Sequence, residues 1–345
     1  MSDIHACDHI DLPAIRPAVA RTNRHRGACP SCRTPVSAPA PEGFEPRSPS
    51  GPGIAAPIIH LRIAQAASFE RLARLMGEVF GPSIGEGAIA DIPARAQAPL
   101  LAAATTIAAA MRASPVVGSD ETSARVRGST WRQWALLGST ATCHVIADTR
   151  AASVVAASLQ GARPEAWVAD RCGGQLGHGA VRQMCLAHLL RDAAWSVEAG
   201  DAVFAPGCKR LPLRAMAIGR RRPALAGSPP ARFGADQGRR LDELSPGPEP
   251  KQQPARRLFQ AMRRNWADLS RSVTRRDAPC TNDARERALR PSATFRDVTN
   301  RFRAEWGAKL HAAAAGVIAT GRLHGRTALQ ALHDALASVP VMRSG

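Results

Sequence analysis

The chain has 345 residues, of which 45% are hydrophobic, so it has room for two or three domains and a sizeable core. Its 46 basic and 28 acidic residues give a net charge of +18, which favours polyanionic partners such as nucleic acid. No apolar run reaches the ~18 residues that a membrane span requires. The N-terminus also lacks the basic-then-apolar order of a signal peptide. We therefore expect a cytoplasmic protein with no membrane partner.

The first predicted segment, residues 1–56, is rich in proline and glycine and predicts an irregular arm and linker. Within it, Cys29-x-x-Cys32 has the spacing of a zinc knuckle, in which a sharp turn brings two thiolates to one metal ion. A four-ligand site needs a second pair, for which the nearby candidates are Cys7, His9, His5 and His25. The pattern predicts half of a zinc-ribbon-like site, and both a Zn²⁺ pair and free thiols remain open.

Residues 57–112 are predicted to be helical. Phe69, Leu72 and Met76 recur at helical spacing, and a Gly/Pro turn separates them from a second helical pattern. A helix, a turn and a helix are compatible with a DNA-binding helix-turn-helix. An ordinary helical hairpin packed on a core explains the same pattern equally well.

Residues 113–200 contain the strand signals. Three strand-like segments separated by turn residues are followed by a helix, a buried strand, a further strand and a helix. This order matches the α/β class, and within it the mixed-sheet, RNase-H-like catalytic core, of which these residues would form the first part. Asp120 lies on the first strand, and Asp170 comes at the end of the fourth.

The remainder of the chain is predicted to be mainly helical. Residues 201–278 are rich in arginine and proline and predict a helical insertion, and residues 279–338 hold an acid-bearing helix and the C-terminal helices of the core. Thr281 or Asn282 is a candidate cap for that helix, which Pro291 would end or kink.

Three acids occur in the order that metal-dependent phosphoryl transfer requires. A pair of catalytic metal ions ~3.5–4 Å apart needs several converging carboxylates, and Mg²⁺ prefers oxygen ligands and keeps several waters. Three acids meet this need if one lies on a central strand, one follows a neighbouring strand and one lies on a helix packed across both. Asp120, Asp170 and Glu286 have this order in the sequence. A surface ion pair with a neighbouring arginine is the alternative for Glu286, and such pairs contribute little stability.

Several motifs carry a family resemblance. The segments "GSDETSARV", "WVADRCGGQ", "MCLAHLLRD", "TNDARERALRP" and "FRAEWGAKL" occur in this order, preceded by "HRGACPSC" and "SFERLARL". Together they resemble the DDE transposases of the insertion sequence sixty-six family, over nearly the whole chain. A single motif such as "DET" is uninformative, whereas five in order are highly specific.

The resemblance implies a function and a site. Asp120, Asp170 and Glu286 would be the catalytic residues that bind Mg²⁺ or Mn²⁺, for cleavage at transposon ends and then attack of the freed 3′-OH on target DNA. The arginines near Glu286 would hold the DNA backbone, namely Arg285, Arg287, Arg290 and Arg296. The implied partners are transposon-end and target DNA at the bacterial nucleoid, further copies of the chain in a homo-oligomer, and companion proteins of the element.

Departures from the family pattern leave a second hypothesis open. Cys172 replaces the tyrosine that commonly follows "DR", and Arg285 stands where a small residue usually precedes the final glutamate. Family members usually begin further upstream with a first CxxC pair, so we expect an N-terminally short chain with an incomplete end-recognition module. A catalytically inactive remnant, or a regulator that only binds DNA, is the alternative. Cys185-x-x-His188 is interpreted as a core pair rather than half a metal site.

Overall fold

In the computed structural model, which describes residues 8–41, 44, 50–221, 229–244, 250–269 and 271–337, the chain begins with a small antiparallel hairpin. Its two strands are β1 (Arg26–Ala28) and β2 (Pro35–Ser37). Four helices follow: α1 (Pro52–Ala64), α2 (Phe69–Leu75), α3 (Glu86–Arg95) and α4 (Gln97–Arg112). A π-helical turn, Met76–Phe80, extends α2.

The strands of the main sheet come next in the chain. They are β3 (Val116–Val126), β4 (Ser129–Leu137), β5 (Thr142–Ala147), β6 (Ala166–Ala169) and β7 (Val181–Met184). Helix α5 (Ala152–Leu159) connects β5 to β6. The spatial order is β5-β4-β3-β6-β7, with β3, β4 and β5 antiparallel and β6 and β7 parallel to β3. The predicted meander and the α/β class are confirmed.

Side chains alternate between the two faces of this sheet because a strand has a period of two residues. On one face, Val117, Trp134, Leu136 and Trp167 pack with residues of α4 and α5. The other face carries small residues such as Ala124 and Ala135, against which the C-terminal helices pack. The central strand β3 is therefore covered on both sides, and polar groups on it are partly withdrawn from water.

The C-terminal half is helical, as predicted. Its helices are α6 (Leu186–Glu198), α7 (Phe204–Arg221), α8 (Pro229–Leu244), α9 (Gln253–Arg264), α10 (Arg271–Thr274), α11 (Asp283–Thr299), α12 (Glu305–Leu323) and α13 (Ala328–Ala337). Residues of α6, α7, α9 and α10 form a separate apolar cluster around Leu211 and Leu258. Helix α11 continues through Pro291 to Thr299 instead of ending there.

Helices α1 to α4 share one hydrophobic core with α12 and α13. This core includes Ile59, Leu72 and Leu100 from the first group and Val317 and Leu332 from the second. Helix α1 starts at Pro52, inside the segment predicted to be linker, because proline fits the first turn of a helix. No helix in the described ranges is long and apolar enough to cross a bilayer.

Two neighbouring leucines on α4 test this packing. Leu100 is 0% exposed in the shared core, whereas Leu101 is 36% exposed. We expect Leu100→Ala to lower the free energy of unfolding by about 2–5 kcal/mol, because it removes buried methyl groups and leaves a cavity. Leu101→Ala is the control and should cost less than about 1 kcal/mol. Urea unfolding followed by circular dichroism would measure both, and equal costs would contradict the packing described.

Candidate active site

Asp120 lies near the middle of the central strand β3. The parallel register pairs Val116 with Ala166 and Gly118 with Val168. Continued two residues further, this register brings Asp120 beside Asp170, which directly follows β6. Neighbouring strands lie ~4.7–4.9 Å apart, so the two backbones hold their acids close together.

The electrostatics of Asp120 show that the acids converge. The pKa of Asp120 is raised to about 7, chiefly by burial, and the negative charges of Asp170, Glu121 and Glu286 act in the same direction. The Glu121 N–H donates a hydrogen bond to Asp120 Oδ1 at 2.9 Å, which opposes the shift in part. Asp170 and Glu286 are therefore near enough to Asp120 for their charges to act on it, as is Glu121.

Glu121 points to the face of β3 opposite Asp120, where its carboxylate has hydrogen-bond partners. Its carboxylate, only 3% exposed, accepts hydrogen bonds from Arg150 Nε at 2.6 Å and Gln175 Nε2 at 2.7 Å. Gln175 in turn accepts a hydrogen bond from Ser119 Oγ at 2.7 Å. This network fixes the backbone of β3 on either side of Asp120.

Glu286 is in the first turn of α11, and Asn282 anchors that turn. The side chain of Asn282 donates to the Ser119 carbonyl on β3 at 3.3 Å, and its backbone N–H donates to Cys185 Sγ at 3.1 Å. The Asn282 carbonyl accepts the N–H of Glu286 at 3.1 Å. Asn282 thus occupies the predicted cap position, but its side chain binds the sheet rather than the helix end. The Glu286 carboxylate lies 3.8 Å from His188 Nε2.

Arg285 lies inside the protein, against β3. It is 5% exposed, and its guanidinium packs against Gly118, where a larger residue would leave no room for it. Burial lowers the pKa of Arg285 to about 10, while the negative charges of Cys185 and Asp120 act in the opposite direction. Arg285 therefore places a positive charge beside the acids, away from the exposed arginines.

The other predicted DNA-binding arginines occupy two different environments. Arg287 and Arg290 are exposed neighbours one turn apart on α11. Arg296 is half-buried, and its Nη1 donates to Ser123 Oγ at 2.6 Å, which fastens α11 to β3. The four arginines do not form one continuous surface.

Asp120, Asp170 and Glu286 suit a hard divalent cation, because all three offer oxygen ligands. Among the residues that the structure describes, however, no three His, Cys, Asp or Glu side chains are close enough together to hold a metal ion. Mutual repulsion of the carboxylates opposes a closer approach. The oxygen donors are chemically suited to Mg²⁺ or Mn²⁺, but in the described residues they are too far apart to coordinate one ion together.

The CxxC pair sits on the turn between β1 and β2. The Arg33 N–H donates to the Cys29 carbonyl at 2.8 Å, and Cys32 Sγ lies 3.1 Å from Thr34 Oγ1. This contact is the largest cause that lowers the pKa of Cys32 to about 7, so its thiolate is accessible at neutral pH. Cys7 and His5 lie outside the described residues. Among the described residues, no His, Cys, Asp or Glu is close enough to Cys29 and Cys32 to serve as a third ligand. Zinc binding by Cys29 and Cys32 stays a prediction.

Some residues of the site could not be predicted from the sequence. Arg150 and Gln175 come from loops distant in sequence, and no local pattern marks them. The sequence predicts His188 as a core residue, but it is partly exposed and lies beside Glu286 near the start of α6. The burial of Arg285 could have been predicted, because Arg285, Leu289 and Ser292 lie on one face of the helix and that face is buried.

One protein-family model matches most of the chain. The model of the family described as "Transposase IS66 family" matches residues 47–310, which is well over half of the chain. The chain therefore belongs to the IS66 family of transposases, a class of proteins that bind DNA and act in its transposition. No curated protein matches it.

The raised pKa of Asp120 has a consequence for stability. A carboxyl whose folded pKa lies above its unfolded value favours folding at low pH, and this contribution is lost as the pH rises through about 7. In a metal-free buffer with chelator, Asp120→Asn should gain stability relative to the parent protein between pH 4 and pH 8, by about 1–4 kcal/mol. Urea unfolding at several pH values checks this, and a difference independent of pH would contradict it.

The packing of Arg285 on Gly118 is also testable. A Cβ at Gly118 would lie 2.5 Å from both Arg285 Nε and the Val168 carbonyl oxygen. We expect Gly118→Ala to cost about 1–3 kcal/mol of unfolding free energy, because the backbone of β6 cannot yield. Gly173→Ala, where a Cβ meets nothing within 4 Å, is the matched control. Thermal unfolding compares the two, and an unchanged Gly118 variant would show that Arg285 packs elsewhere.

Proposed function

We propose that the chain is a metal-dependent transposase that cleaves and joins DNA strands, with Asp120, Asp170 and Glu286 as its metal ligands. The observation that carries this proposal is the shared electrostatic field of the acids, in which Asp170, Glu121 and Glu286 all raise the pKa of Asp120. Structural ion pairs join opposite charges, whereas like charges are held together chiefly at functional sites. Family membership supports the same chemistry.

The strand order supports an RNase-H-like core. A meander of three antiparallel strands followed by two strands parallel to the first is the arrangement that this core predicts. The positions of Asp120 on the central strand, Asp170 after its parallel neighbour and Glu286 on α11 support this proposal. The helices α7 to α10 form the insertion between the last strand and α11.

Each group of the site has a role in this reaction. Bound divalent metal would activate the attacking oxygen and stabilise the leaving one. Asp120, Asp170 and Glu286 provide the ligand oxygens, and Arg285 offsets part of their repulsion from inside the protein. Glu121, held by Arg150 and Gln175, keeps β3 in place rather than binding metal itself.

DNA binding would rest on the exposed cations. Arg287 and Arg290 project from α11 next to Glu286, where they would contact phosphates near the scissile bond. The net charge of +18 adds a long-range attraction for DNA. Joining two element ends to a target requires more than one copy of the chain, so we propose that it acts as a homo-oligomer on DNA.

The decisive experiment compares the parent protein with Glu286→Gln on DNA that carries the element's own termini. With Mg²⁺ or Mn²⁺ we expect cleavage and strand joining by the parent protein. The variant should lose at least about a hundredfold in rate, because a metal ligand is replaced by a neutral amide. Glu198→Gln, on the exposed end of α6, is the control and should keep full activity.

Measurement of DNA affinity completes the test. Affinity should be nearly equal in the parent protein and Glu286→Gln, because the exposed arginines are untouched. If both bind DNA and neither cleaves it, even with companion proteins of the element added, the DNA-binding remnant or regulator is the correct description.

A further inference from the structure

A cavity of about 250 Å³ lies beside α11. It is lined by α11, α12, the end of α1, the end of β4 and the start of β5. Most of its wall is apolar, formed by Ile63, Leu137, Ala288, Ala315, Ile318 and Ala319. The volume is below the ~300–1,000 Å³ of pockets for drug-sized ligands, so it suits a single small planar group.

The inner part of this cavity carries two buried polar side chains. Ser292 and His311 both line it, and His311 is 2% exposed. Ser292 Oγ lies 3.2 Å from His311 Nε2, and within the described residues His311 Nδ1 has no hydrogen-bond partner. Phe295 and Phe302 pack against the imidazole and fix its orientation. A buried polar atom without a partner is costly, so His311 Nδ1 would gain from a hydrogen-bonding group bound in the cavity.

Two exposed arginines line the same cavity. They are Arg287 of α11 and Arg322 of α12. In the part of the chain described, no carboxylate forms an ion pair with either guanidinium. Arg287 directly follows Glu286, and successive helical residues point ~100° apart. The cavity is therefore flanked by free positive charge and lies one residue from a predicted metal ligand.

We propose that this cavity binds one nucleobase turned out of the DNA close to the scissile phosphate. Its apolar wall would accept the flat faces of the base, and Ser292 with His311 would hydrogen-bond to its edge. Arg287 and Arg322 would hold the flanking phosphates. The inference rests on the proposed function in that it takes DNA to be bound at α11, and it adds a recognition site that the metal chemistry does not require.

Turning a base out of a duplex costs unstacking and unpairing energy, and this cost is least for a base that is already unpaired. The protein should therefore bind a duplex with a single unpaired thymidine more tightly than the same duplex fully paired. Contact with one base supports a preference of about tenfold.

The experiment uses the full chain and two fluorescently labelled duplexes, one fully paired and one with a single unpaired thymidine. Fluorescence anisotropy gives the ratio of their affinities. Ala319→Phe fills the cavity and should reduce the preference to about one, with affinity for the paired duplex unchanged. Ala102→Phe places the same ring in the separate groove between α4 and α13, and should keep the preference. Ser292→Ala changes little volume and should weaken the preference severalfold even if Ala319→Phe does not fold.

The possible outcomes separate this inference from the proposed function. Equal affinity of the parent protein for both duplexes, or a preference that survives Ala319→Phe and Ser292→Ala, would overturn the base-binding cavity while DNA binding stands. Failure of the parent protein to bind either duplex would overturn the proposed function itself.

Discussion

Burial of a carboxyl near other carboxylates is the constraint on which the arrangement of this protein depends. Burial first, and then the charges of Asp170, Glu121 and Glu286, raises the pKa of Asp120 on β3 to about 7. Such a group disperses unless the backbone holds it. Here the register of β3 and β6 holds Asp120 and Asp170, and Asn282 ties the start of α11 to β3. The acids are thus held where they lower stability, which is the usual cost of a site built for function.

Positive charge is divided between the inside and the outside of the same helix. Arg285 faces β3 beside Asp120, whereas Arg287 and Arg290 face solvent. Helical periodicity produces this division. Arg287 and Arg290 follow Arg285 by two and five positions, so they point away from the helix face on which Arg285 lies. The inner charge offsets the acids, and the outer charges are available to phosphate. One short sequence, "RERALR", therefore carries the acid Glu286, a buried positive charge near Asp120 and two exposed arginines.

Much of this arrangement could be predicted from the sequence, for identifiable reasons. Strand-like segments separated by turn residues predict β3 to β5, and the register explains why Asp120 and Asp170 are equally far from the starts of their strands. The contributions of Arg150, Gln175 and His188 could not be predicted, because tertiary packing alone brings them to the site. Helix α11 runs past Pro291 because packing against β3, β4 and α12 outweighs the local cost of proline.

The central claim is that the acids around β3 bind a divalent cation. Electron paramagnetic resonance of Mn²⁺ titrated into the full chain tests it most directly. We expect saturable binding to the parent protein, lost in Asp120→Asn, Asp170→Asn and Glu286→Gln, and retained in the exposed control Glu198→Gln. Equal Mn²⁺ binding by the parent protein and all three variants would contradict it, as would the absence of any saturable binding.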